Sequence, residues 1–189
     1  SQLIPQIFMS DVRIESFKQE VEKVFTFLHN EYSRLQTGRA SAALVESVNV
    51  EAYGQSQPLK AVAGVSIQDA RTIVVQPWDA SVIGDIESAL TKADLGVSPV
   101  NDGTVVRLNL PPMTEERRTQ LTKVVHSLAE DARISIRQAR QNAHDSIKDE
   151  EKDEDRRYTL LEELEKAVKE ANEKIEVSKK EKDEEVMKV

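Results

Sequence analysis

The sequence predicts an α+β protein in which a long three-helix bundle carries a small α/β domain, a β-sheet plus helix, inserted between its first and second helices. Three observations predict it. Apolar side chains recur at helical spacing in three separate stretches. Between the first two of these the pattern switches to alternation punctuated by glycine and proline. Charged residues make up 32% of the 189-residue chain and aromatics only 4%, a balance of well-exposed helices rather than of an aromatic-rich β fold.

The first helix is predicted over residues 12–36, where Phe17, Val21, Val24, Leu28, Tyr32 and Leu35 follow steps of three and four and share one stripe. Gly38 terminates it. From residue 41 the runs "ESVNVEAYG", "VAGVSI", "RTIVVQPW" and "TVVRLNLPP" are short, β-branched or alternating, and predict strands. Asp79 is placed to cap a helix carrying Val82, Ile83, Ile86, Ala89 and Leu90, which stops near Gly96 and Pro99. Trp78, at the strand-to-helix junction, is expected in the core of this small domain.

After Pro111 and Pro112, Thr114 followed by "EERR" is a helix start, because a hydroxyl and early acids suit exposed N-terminal amides. The stripe Leu121, Val125, Leu128, Ala132, Ile136, Ala139, Ala143, Ile147 then predicts a helix of about 35 residues, roughly 50 Å long. The acidic "KDEEKDEDRR" turns the chain. Leu161, Leu164, Val168, Ala171 and Ile175 form the third stripe, with steps suited to packing at shallow angles. The expected domains are residues 1–37 plus 113–189 for the bundle and 38–112 for the insert. Only two connections join them, near 38–40 and 110–113, so Gly38, Pro111 and Pro112 are candidate hinge residues.

Charge separates the segments further. The whole chain carries a formal −8. Residues 41–113 hold four Lys/Arg against eight Asp/Glu, and residues 149–189 hold ten against sixteen. Only residues 114–148 are basic, with seven against five, and their positive charge concentrates in "RISIRQARQNAHDSIK". On a helical wheel Arg133, Arg137, Arg140 and His144 fall within roughly 60° of one another, about 100° from the apolar stripe. Two readings compete: a solvated flank paired with glutamates of the third helix, or a strip that binds phosphates through forked guanidinium donors. Composition alone favours the solvated flank; the use of arginine rather than lysine, with no acid between Arg133 and Asp145, weighs slightly against it.

Other chemistries find little support. The chain has no cysteine, which excludes disulfides, thiolate metal sites and a cysteine nucleophile. His29, His126 and His144 are dispersed without metal-ligand spacing, and the six glycines form neither GxxxxGK nor GxGxxG. No enzyme, cofactor or metal is expected. No apolar run is long enough to span a membrane, and "SQLIPQIFMS" lacks the basic start and apolar core of a secretory signal.

Several stretches resemble ribosome recycling factors: "LQTGRASAAL", "YGQSQPL", "PWDASVIGDIESAL", "ADLGVSP", "LNLPPMTEERRTQLTKVV", "ARISIRQARQNAHDSIK" and "KEKDEEVMKV" occur in that family's order and spacing. The resemblance covers roughly residues 10–189. It departs at Gln36 and Gln141, where arginines are usual, at Gln138, where asparagine is common, and at Ala42, where proline often stands.

The resemblance implies a two-domain, L-shaped monomer of the bacterial cytoplasm, an organelle stroma or matrix being the alternative compartment. It implies binding to the post-termination ribosome, with the bundle on large-subunit ribosomal RNA. Elongation factor G, hydrolysing GTP, would act with the smaller domain to split the subunits and release messenger RNA and deacylated transfer RNA. Arg133, Arg137 and Arg140 match the family's RNA-facing arginines, with Arg39 at the TGRA turn a further candidate. The rival reading is a helical protein-binding scaffold or chaperone adaptor, in which the arginines meet an acidic partner.

Overall fold

The computed structural model describes residues 10–188, which form two compact units. One contains the N-terminal helix through Leu35 together with Thr119–Lys188, and the other is Gln36–Arg118.

The first unit is helical. Helix α1 spans Val12–Arg34, capped by the Asp11 carboxylate, which accepts from the Arg13 amide. The second long helix, Glu115–Glu150, begins where Thr114 Oγ1 accepts from the Arg117 amide, as the sequence predicts. The third, Glu154–Met187, is capped by Asp153. Their apolar stripes close on one another, with Phe17 and Leu28 of α1, Leu121, Val125 and Ile136 of the second helix, and Leu164 and Ile175 of the third all buried.

Three details of the stripes differ from expectation. Phe25 is buried in α1 while Val24 is only half-buried, in the second long helix Ala129 is buried where Leu128 is half-buried, and in the last helix Leu160 is buried where Leu161 is half-buried. In each case the neighbour one position away points inward, because the packed face is set by contact with two other helices rather than by an ideal wheel.

The second unit is built on antiparallel sheets. Strands β1 (Asn49–Ala52) and β2 (Gln55–Pro58) form a two-residue hairpin. A short helix α2 (Leu59–Val62) leads into β3 (Ala63–Asp69) and β4 (Thr72–Pro77). Helix α3 (Ile83–Lys92) then precedes β5 (Val100–Asn101) and β6 (Val106–Asn109), giving a four-stranded sheet in the order β3-β4-β6-β5. The two long bundle helices that follow are α4 (Glu115–Glu150) and α5 (Glu154–Met187). Val50, Leu59, Ile73, Val75, Ile86, Leu90, Val106 and Leu108 make the core of this unit. Asp79 accepts from the Ser81 amide as the cap expected of it, though the first turn it caps is a 3-10 turn, Ala80–Val82.

Trp78 is a correction. It is 72% exposed and lies outside that core. Among the described residues no helix is long and apolar enough to cross a membrane.

Candidate nucleic-acid interface

The arginine strip lies on α4, whose 36 residues give a scaffold of about 54 Å at 1.5 Å per residue. Ala132, Ile136 and Ala143 turn inward, which leaves Arg133, Arg137 and Arg140 on the flank. A groove of about 430 Å³ runs between this flank and α5, with Ile136 and Val168 at its floor and Asn172 and Glu176 on its far wall.

The three arginines are not equivalent. Arg133 donates to Glu130 Oε2 at 2.9 Å and also bonds Glu176 of α5. Arg140 donates to Glu165 of α5 at 2.7 Å. Both therefore bear out the flank reading in part: no acid lies between them on their own helix, but α5 supplies two. Arg137 sits between them, exposed, and bonds no acid among the described residues. His144 faces its neighbour Asp145 at 3.8 Å.

A phosphate entering the groove would thus meet one uncommitted guanidinium and two whose partners are solvent-exposed carboxylates. Val168 and Asn172 were absent from the sequence-level site. Their place in the groove follows from the register between two helices; in the sequence Val168 is legible only as part of the third apolar stripe, and Asn172 only as standing four residues after it.

Arg39 is exposed but belongs to the other unit, as do Gly38, Pro111 and Pro112. Gly38 adopts φ +76, and a Cβ built on it would come within 3.0 Å of Met113 Cγ, so the two connections touch here and glycine is required on both counts. Just inside them, the Ala40 amide donates to the Ala70 carbonyl and the Leu110 amide to the Arg71 carbonyl, each at 2.7 Å. Both connections are tied to the single turn between β3 and β4. No group of three or more histidine, aspartate or glutamate side chains among the described residues is arranged to hold a metal ion.

Residues 28–187 match the family model for ribosome recycling factor. The chain belongs to the ribosome recycling factor family. It is 41% identical to the ribosome-recycling factor of Rickettsia peacockii over 179 residues, covering 93% of this chain and 96% of that one. With the factor of Nitratidesulfovibrio vulgaris it shares 44% identity over 138 residues, or 73% of this chain and 74% of the relative.

Solved structures agree with that membership. The solution structure of a ribosome recycling factor superposes with a TM-score of 0.68 at 34% identity, covering 94% of this chain and 96% of that one. A second, at 0.56 and 34% identity over 93% and 97% of the chains, is the T. thermophilus recycling factor placed with E. coli elongation factor G on the E. coli post-termination complex. The family resemblance and the mixed helix-and-sheet fold expected of the sequence are borne out.

Proposed function

We propose that this chain recycles ribosomes after termination, docking through the α4 strip on large-subunit ribosomal RNA. Elongation factor G, hydrolysing GTP, then acts with the sheet-bearing unit to separate the subunits, freeing messenger RNA and deacylated transfer RNA. The observation that carries the reading is Arg137, a guanidinium left exposed and unneutralised at the centre of the groove while the arginines on either side are held by carboxylates. Arg137 is the first phosphate contact, and Arg133 and Arg140 exchange glutamate for phosphate as the surface closes. Arg39 is a further contact from the other unit.

A formal charge of −8 suits this function, since it suppresses indiscriminate adhesion to nucleic acid while one strip retains affinity for a particular RNA surface. Gly38, Pro111 and Pro112 serve as the hinge, since they lie just outside Ala40 and Leu110, whose amides are tied to the β3–β4 turn. Small family membership departures such as Gln141 leave the unpaired arginine in place.

The test is co-sedimentation of wild type and Arg137→Glu with vacant ribosomes across a salt series. Binding that falls steeply with salt and is largely lost in the variant, at unchanged thermal stability, supports the docking strip. Equal binding by the two proteins at matched salt would refute it.

A further inference from the structure

Trp78 is the chain's only tryptophan, and although it is exposed it is not loosely placed. Its amide donates to the Val62 carbonyl at 3.0 Å. Its six-membered ring rests on Gly64 of β3, where a Cβ would approach Cη2 to 3.0 Å, so the glycine makes room for a ring that adds nothing to the core. Tyr53 is 62% exposed and occupies the first position of the β1–β2 turn at φ +55, a conformation unfavourable for a bulky side chain. Its hydroxyl donates to Asp79 Oδ2 at 2.6 Å. The charge of Asp85, on the first turn of α3, also reaches that hydroxyl.

Two large rings are thus held in fixed positions at the surface, one by close packing and one by a short hydrogen bond. Fixed aromatic area is what an interface anchor needs, since little side-chain freedom is lost on binding. The flanking charges decide the kind of partner. A stacking platform for nucleic acid is accompanied by basic residues. Here the neighbours are Asp79 and Asp85, and residues 41–113 carry four Lys/Arg against eight Asp/Glu.

We propose that Trp78, Tyr53, Asp79 and Asp85 form a docking patch for a cationic loop of a protein partner, with an arginine or lysine stacked on the indole and the aspartates as countercharges. The proposal rests on the recycling function above, in which that partner is elongation factor G.

Subunit splitting is measured against elongation factor G concentration for wild type, Trp78→Ala, Trp78→Phe and Asp85→Lys. The half-saturating factor concentration should rise about tenfold in Trp78→Ala and Asp85→Lys, which is about 1.4 kcal/mol, and less in Trp78→Phe. Ribosome affinity without the factor and thermal stability should stay at wild-type values. Unchanged half-saturation in both Trp78→Ala and Asp85→Lys would overturn the patch. So would quenching of Trp78 fluorescence by a single-stranded oligonucleotide at physiological salt, which would make it a nucleic-acid platform. If wild type splits no ribosomes, the recycling function itself fails. The patch is then read from the single 5-fluorotryptophan resonance on adding elongation factor G: movement upholds it and an unmoved line overturns it.

Discussion

Arg13 and Glu151 stand 138 positions apart in sequence, yet the Arg13 guanidinium donates to the Glu151 carboxylate at 3.0 Å. Asp11 and Arg156 complete the cluster, with Arg13 bonding Asp11 through both Nε and Nη2 and Arg156 reaching both carboxylates. The start of α1 is thereby fastened to the turn between α4 and α5, closing one end of the bundle.

This clasp predicts an acid-sensitive contribution to stability. Hydrogen bonds from Arg13 hold the Asp11 carboxyl at about 2, below its ordinary 3.8. A depressed carboxylate stabilises the fold above its unfolded value, and that stabilisation is lost as pH falls from about 4 through 2. Asp11→Asn should lower stability at neutral pH by about 1 kcal/mol and remove part of the decline in Tm between pH 4 and 2. Thermal melts of the two proteins across that range check it.

Tyr32 predicts the opposite limb. Its hydroxyl donates to the Val125 carbonyl at 3.0 Å in the bundle core, and burial, reinforced by the charge of Asp183 and opposed by Arg133, pushes it up to about 12. Its raised value favours the protonated form, so its contribution is complete below about 10 and is lost as pH rises through 12. In a spectrophotometric titration one tyrosine should ionise only near pH 12, and Tyr32→Phe should abolish that component. The same variant should lose about 1 kcal/mol of stability at neutral pH, the loss of one buried hydrogen bond to a carbonyl that keeps its own helix partner.

The glutamates of α5 offer a gain-of-affinity test of docking. If Arg133 and Arg140 exchange carboxylate for phosphate, removing the carboxylates favours the exchange. Glu165→Gln and Glu176→Gln should each tighten ribosome binding about threefold to tenfold at low salt. The double variant should also steepen the dependence of log K on log salt, whereas Arg137→Ala should shallow it by about 1. Co-sedimentation across a salt series measures both; weaker binding by the glutamine variants would contradict partner exchange.

Gly38 gives a prediction about the hinge. A side chain there meets both an unfavourable φ and the Met113 side chain, so Gly38→Ala should cost about 1 kcal/mol or more. A covalent cross-link joining the two units should leave ribosome binding near wild type and stop subunit splitting. Splitting at the normal rate by the cross-linked protein would remove the hinge from the mechanism.

The long helices were legible because each repeats its apolar stripe over many turns, and Thr114 and Asp79 announced their caps. Strand β2, "QSQP", and the two-residue β5 were not, since they are held by backbone pairing and carry no apolar alternation. Trp78 was misplaced because an aromatic between a strand and a helix most often packs inward, and only the location of Gly64 on the neighbouring strand shows where the ring goes. The pairing of Arg133 and Arg140 was foreseeable in kind. Which arginines are paired and which is free depends on the register of α5 against α4, set by contacts far from the strip.

The tie of Ala40 and Leu110 to consecutive carbonyls, Ala70 and Arg71, also bears on the order in which the protein folds. Leu35 and Thr119, which bound the inserted unit, are 84 positions apart, so bringing α1 to α4 in an unfolded chain means closing a long loop. Once the insert has formed, the free chain between them shrinks to the few residues on either side of the tie, about a sixfold reduction. Loop-closure entropy then opposes the bundle by about 1.5 kcal/mol less. The small unit acts as a splice for the helices that surround it in sequence, and refolding should show the sheet forming before the bundle.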